Sequence, residues 1–159
     1  MLPKILVSSC LIGKKCAYDG EARTSTAVKE CCETYGYISI CPEMEGGLGC
    51  PRERHEIVGG SGSDVLDGRV RVISISGKDM TDNFFSGAER TLKTAKANAI
   101  KVAVLKSRSP SCGKNMIHTG NFDGEAREGC GVTTALLVRN GIKVFTENEI
   151  DEIKRELKP

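Results

Sequence analysis

Short apolar runs alternate with stretches of helical period along this chain, and that alternation is the feature that most narrows its fold. Residues 4–9 (KILVSS), 37–41 (YISIC), 101–105 (KVAVL) and 142–145 (IKVF) have the length and β-branched content of strands buried in a parallel sheet. Residues 24–35, 79–99 and 131–139 carry apolar side chains at helical spacing, and 148–157 forms a last amphipathic helix. Ala27, Val28, Cys31, Cys32 and Tyr35 share one face of the first helix, which Gly36 stops; Phe84, Ala88, Leu92, Ala95 and Ala99 share one face of the second. Strands joined through helices are βαβ units with right-handed crossovers. The expected fold class is therefore α/β: a single domain over residues 1–159, built as a Rossmann-like, open, mostly parallel sheet with flanking helices. A chain of 159 residues suits one core. Residues 57–75 break the pattern. There IVGG, SGSD and VLDGRVRVISI read as turns and short antiparallel strands, a small β-hairpin excursion with Asp67-Gly68 as its turn signal.

Lys and Arg number 23 against 21 Asp and Glu, so no strong net field draws the chain to nucleic acid or an anionic membrane. Aromatic residues make up 4% of the chain and Trp is absent, too few for the stacking platforms of single-strand binders. No stretch approaches the roughly 20 apolar residues of a transmembrane helix, and the apolar run 5–7 is too short for a secretory leader. The expectation is a cytoplasmic protein that binds neither nucleic acid nor membrane. Thiols stay reduced in that compartment, which makes the 8 cysteines candidates for metal binding or chemistry rather than a disulfide framework.

Open parallel sheets bind ligands in the crevice beyond the carboxyl ends of their strands. The first strand ends in Ser8, Ser9 and Cys10, the second in Cys41, Pro42 and Glu43, and the third runs into SRSPSCG with Ser109 and Cys112. Three cysteines from three strand ends can meet there. Their separation matches no zinc-ribbon or ferredoxin spacing, which sets ligands about two to four residues apart. The constellation is a tertiary one.

The motifs SSCLIG with Cys16 and YDG, then CPEMEGGLGCPR, DGRV, GKDMTDNFFSGAERTL, VAVLKSRSPSCG and GCGVTTALLVRNGI resemble, in that order and from Ile5 to about Asn148, the thiouracil desulfidase family. The resemblance implies a non-redox desulfidase that removes sulfur from small thiolated pyrimidine bases, giving uracil and hydrosulfide from thiouracil. It also implies a [4Fe-4S] cluster held by three cysteines, carried over here as Cys10, Cys41 and Cys112. Three thiolate ligands leave one iron site open for the sulfur of a substrate. Glu43, beside Cys41, is the candidate acid/base for water and a ring nitrogen, and Ser109 the candidate for holding substrate or water.

Each remaining cysteine and histidine has a plainer reading. Cys31 and Cys32 read as core. Cys16 reads as a loop thiol, with a fourth ligand as the alternative, and Cys50 is the challenger to Cys41. Cys130 reads as a small residue tolerated between glycines, Glu45 as solvated, His55 in RERHE as a surface loop residue and His118 as a packed loop residue. Gly129, Gly131 and Thr134 imitate part of a dinucleotide fingerprint, but no strand immediately precedes them. The helix start with Thr133 is a candidate seat for a substrate carbonyl or anion. Two other functions stay open: a noncatalytic protein holding a metal or cluster as sensor or staple, and a nucleotide-binding module resting on fold analogy alone.

Overall fold

The computed structural model describes residues 3–158. In chain order the elements are β1 (Ile5–Ser8), α1 (Thr26–Tyr35), β2 (Tyr37–Ile40), α2 (Pro42–Glu45), β3 (His55–Val58), α3 (Gly62–Leu66), β4 (Arg71–Ser74), α4 (Thr81–Ala97), β5 (Val102–Val104), β6 (Met116–His118), β7 (Ala126–Glu128), α5 (Val132–Arg139), β8 (Lys143–Phe145) and α6 (Ile150–Leu157), with a 3-10 turn over Ser9–Ile12 after β1. Strands β2, β1, β5 and β8, in that order, form one parallel sheet. They are the four strands expected from the apolar runs, and the α/β class holds.

Alternation along the strands feeds two helical layers. Ile5, Val7, Val102 and Val104 pack on Val28, Cys31 and Cys32 of α1 and on Ile153 and Leu157 of α6. Leu6, Ala103 and Leu105 pack on the opposite side with Ala95, Ile100, Leu137 and Ile142. All four residues of β1 are buried, as a central parallel strand between two helical layers requires. The chain moves outward from β1 to β2 on one side and to β5 and β8 on the other, so the crevice falls between the ends of β1 and β5. No helix among the described residues is long and apolar enough to cross a membrane.

Local signals set the helix ends. Ser25 Oγ accepts from Val28 N at 3.3 Å to start α1, and just ahead of α4 Asp79 Oδ1 accepts from Thr81 N at 3.0 Å in an Asx turn. The excursion at residues 57–75 differs in detail from the expected hairpin. β3 and β4 pair antiparallel, Ile57 opposite Val72, but α3 lies between them. Ser61 N donates to Asp64 Oδ2 at 2.9 Å, a cap that nucleates a helix where composition suggests only turns. Asp67 and Gly68 close that helix instead of turning a hairpin. A second antiparallel ribbon, β6 with β7, lies in the Gly-, Ser- and Asn-containing segment between β5 and α5. Both ribbons rest on a third cluster around Phe84, Ile57, Val72, Ile117 and Val132.

Helix α2 is pinned to α4 by backbone contact. A Cβ on Gly87 of α4 would drive into the Pro42 carbonyl, and one on Gly46 into the Asn83 carbonyl. Two glycines thus allow the approach that fixes α2, and Glu43 with it.

Candidate active site

The ends of β1, β2 and β5 open onto a cleft of about 450 Å³ lined by Cys10, Cys16, Cys41, Cys112, Glu43 and Ser109, among others. Cys10 sits in the 3-10 turn, where the chain leaves β1. Cys41 caps α2, and Pro42 takes the first helical position, where a missing N–H costs nothing. Cys112 is held by its backbone: its N–H donates to Ser109 Oγ at 2.7 Å and its carbonyl accepts from Thr134 Oγ1 at 2.8 Å. Ser8 Oγ approaches its sulfur at 3.5 Å and Ser111 Oγ at 3.6 Å. Burial pushes the Cys112 thiol up to about 11, against the pull of those two hydroxyls. The Cys16 thiol is raised to about 11, first by its contact with the Cys10 thiol. Cys41 is raised by its contact with Cys16 and then by burial. Crowded thiols in a low dielectric keep their protons until a soft cation displaces them.

Glu43 is buried, 9% exposed, and both carboxylate oxygens have a donor. Oε1 accepts from Arg52 Nε at 3.0 Å and Oε2 from Ser111 Oγ at 2.7 Å. Ser109 Oγ faces Ser111 Oγ at 3.3 Å. Because the Ser111 proton goes to Glu43, the Ser109 proton completes a chain from Ser109 through Ser111 to the carboxylate.

The donor set is soft. No three His, Cys, Asp or Glu side chains among the described residues close around a single ion. Thiolates are the usual ligands of iron–sulfur clusters, in which each iron takes its own thiolate, and four cysteines line this cleft. The residues present therefore fit a [4Fe-4S] group.

Comparison with known proteins agrees. The family model described as 2-thiouracil desulfurase matches residues 5–149. This chain belongs to the 2-thiouracil desulfurase family. The uncharacterized protein YbbK of Bacillus subtilis (strain 168) is 42% identical over 149 residues, spanning 94% of this chain and 99% of its own. A solved structure named as the [4Fe-4S]-dependent thiouracil desulfidase TudS superposes with a TM-score of 0.86 at 38% identity, covering 98% of this chain and 97% of that one. The family expected from CPEMEGGLGC and SPSCG is the family found.

Within this desulfurase fold several single-residue expectations change. Cys16, read as a loop thiol, lines the cleft, and the Cys41 thiol is directed at its carbonyl at 3.8 Å. Cys50 turns away from the cleft, its thiol directed at the carbonyls of Lys15 at 3.2 Å and Ala17 at 3.4 Å. His55 is not a surface residue. It opens β3, is 7% exposed and packs its ring against Phe84 at 5.3 Å between centroids. Burial lowers its pKa, against the charge of Glu43. His118 lines the cleft. The α5 start is no anion seat, because the Val132 N–H donates to Pro110 O and the Thr133 and Thr134 N–H groups donate to Ser111 O. Cys31 and Cys32 lie in the core and Glu45 is exposed, as expected. Sequence reasoning missed Arg52 and Ser111. Ser111 stands beside Cys112 in SPSC, but nothing in GCPR marks an Arg destined for burial.

Proposed function

We propose that this chain is an iron–sulfur-dependent desulfidase acting on thiolated pyrimidine bases, with Cys10, Cys41 and Cys112 holding the cluster and Glu43 as acid/base. The observation that carries the reading is the convergence of three strand-end thiols with a buried, doubly hydrogen-bonded carboxylate on one cleft. The net reaction is a thiocarbonyl plus water giving a carbonyl plus hydrogen sulfide, with no change in oxidation state. A [4Fe-4S] cluster held by three thiolates supplies an iron with an open position, a soft Lewis acid that polarises the carbon–sulfur bond. In the thiolate tautomer of the base one ring nitrogen has no proton; Glu43 takes a proton from the attacking water and returns it to that nitrogen, and the second water proton leaves with the sulfur as hydrosulfide. Ser111 keeps Oε2 of that carboxylate in place, and Ser109, half-buried at the cleft wall, holds water or a substrate oxygen. The lining includes Ile40 and Pro42, apolar groups that suit the face of a planar base.

Anaerobic reconstitution with iron and sulfide, followed by the visible spectrum and assays of thiouracil loss and hydrosulfide release, tests this reading. Glu43→Gln keeps the cluster spectrum and loses about 10²- to 10⁴-fold in turnover. Cys112→Ser loses the cluster itself, because a hydroxyl replaces a soft thiolate. Wild-type turnover in Glu43→Gln removes Glu43 from the role. One observation favours the rival, a closed noncatalytic cluster: Cys16 is a fourth thiol in the cleft. The desulfidase reading needs three thiolates and the rival four, so Cys16→Ser keeps both cluster and turnover under the first and loses the cluster under the second.

A further inference from the structure

We propose that Arg52 is a positioning residue for desulfuration, a clamp that ties the acid/base Glu43 to the sulfur of Cys41 across one wall of the cleft. The inference rests on the desulfidase reading above and extends it to Arg52, the last residue of CPEMEGGLGCPR.

The Arg52 side chain is buried, 7% exposed. A guanidinium survives burial only when its donors are matched and its charge is met. Nε donates to Glu43 Oε1 at 3.0 Å, one Nη to Gly49 O at 3.2 Å, and the other Nη reaches Cys41 Sγ at 4.0 Å. The backbone N–H donates to Tyr18 O at 2.8 Å, which ties the residue to the loop that follows Cys16. Burial opposes the charge of Arg52, and the facing Glu43 outweighs it with help from Cys41 and Cys50. The fork therefore points at two groups that do chemistry in this reading.

Geometry explains why an Arg stands here. Glu43 and Cys41 lie on the same short stretch, Cys41 capping α2 and Glu43 within its first turn, and their side chains need fixing relative to each other. A planar fork reaches both at once, whereas an ammonium is a point charge that serves one or the other. A donor on a ligand sulfur also draws electron density from it, which raises the reduction potential of an iron–sulfur cluster and sharpens its Lewis acidity. A merely structural Arg, gluing residues 49–52 to Tyr18, would do neither.

The full chain is tested as wild type, Arg52→Met, Arg52→Lys, Glu43→Gln and the double variant Arg52→Met with Glu43→Gln. In cluster-free protein, urea unfolding gives the Arg52–Glu43 double-mutant cycle. After anaerobic reconstitution, spectroelectrochemistry gives the reduction potential, and thiouracil loss gives kcat and KM. Arg52→Met is expected to destabilise, and Glu43→Gln to restore part of that loss by removing the stranded carboxylate. Arg52→Met also moves the potential negative and lowers kcat by about 10- to 100-fold, the usual effect of losing a partner of a metal ligand, with KM unchanged within about threefold. Arg52→Lys shifts the same readouts by less and recovers part of kcat, and it carries the test if Arg52→Met does not fold. Zero coupling in the cycle, or wild-type potential and kcat in Arg52→Met, overturns the clamp alone. A wild type that takes up no cluster and consumes no thiouracil overturns the desulfidase reading and the clamp with it, whatever the cycle shows.

Discussion

Replacing Gly87 by Ala sets two opposed effects against each other, and the structure decides which wins. In an exposed helix interior the change stabilises by about 1 kcal/mol, because Gly is the poorer helix former. Gly87 lies inside α4, but its missing Cβ faces the Pro42 carbonyl, with Pro42 C and Gly46 N close behind. The obstacle is backbone, not the yielding end of a side chain, and the Pro42 oxygen must retreat by on the order of an ångström to reach ordinary contact. That oxygen also accepts from Gly46 N at 3.0 Å, so α2 moves as a body. Overpacking of this kind costs about 1–3 kcal/mol, leaving a net loss of up to roughly 2 kcal/mol after the propensity gain of about 1 kcal/mol. Because α2 carries Glu43, the displacement also reaches the chemistry, where a misplacement near 1 Å costs up to about 10²-fold. Urea unfolding of the cluster-free variant followed by far-UV circular dichroism measures the first effect, and thiouracil turnover after reconstitution the second. Gly49→Ala is the control, since nothing lies within 4 Å of its Cβ position, and it should stay within about 0.5 kcal/mol of wild type. A Gly87→Ala protein as stable and as active as wild type refutes the argument that this glycine fixes α2.

Ser111→Ala leaves Glu43 Oε2 without its donor at 2.7 Å, and kcat should fall by about 10- to 100-fold while the cluster spectrum persists; unchanged turnover would assign the hydroxyl to packing. Phe84→Ala empties a site that is 2% exposed at the centre of the third cluster. It should cost about 3–5 kcal/mol, and an unchanged thermal midpoint would contradict that placement. Asp79 has its pKa lowered from 3.8 to about 2, first by the Thr81 hydroxyl and then by Arg71. Its depressed folded value means that it contributes stability above the unfolded pKa and loses it as pH falls toward 2. The urea midpoint of Asp79→Asn should therefore lie below wild type at neutral pH and converge on it between pH 4 and about 2. A gap that stays constant with pH would separate Asp79 from acid stability.

The part of the fold and of the site that is legible in the chain follows from properties it carries locally. Ile5–Ser8 and Val102–Val104 are buried throughout, so they read as continuous apolar runs. The apolar face of α1 repeats at helical spacing and its core cysteines fall on that face. Strand ends in a parallel sheet meet at one edge, which is why Cys10, Cys41, Cys112 and Glu43 were legible as one constellation before any coordinates, and the order of the motifs carried the family. Tertiary structure alone decided the rest. Cys16 shares the cleft with Cys10 and Cys41 because the loop after the 3-10 turn returns to the end of β2, where the Cys41 thiol meets the Cys16 carbonyl at 3.8 Å, and no period encodes a loop's path. Asp67-Gly68 closes a helix because Ser61 and Asp64 cap it first, a competition between two local signals that only packing resolves. The start of α5 looks free in sequence, yet the carbonyls of Pro110 and Ser111 take its N–H groups. Arg52 and Ser111 reach Glu43 through hydrogen bonds between separate stretches of the chain. Such contacts depend on distances of a few tenths of an ångström between segments, information that hydrophobic period and turn chemistry do not contain.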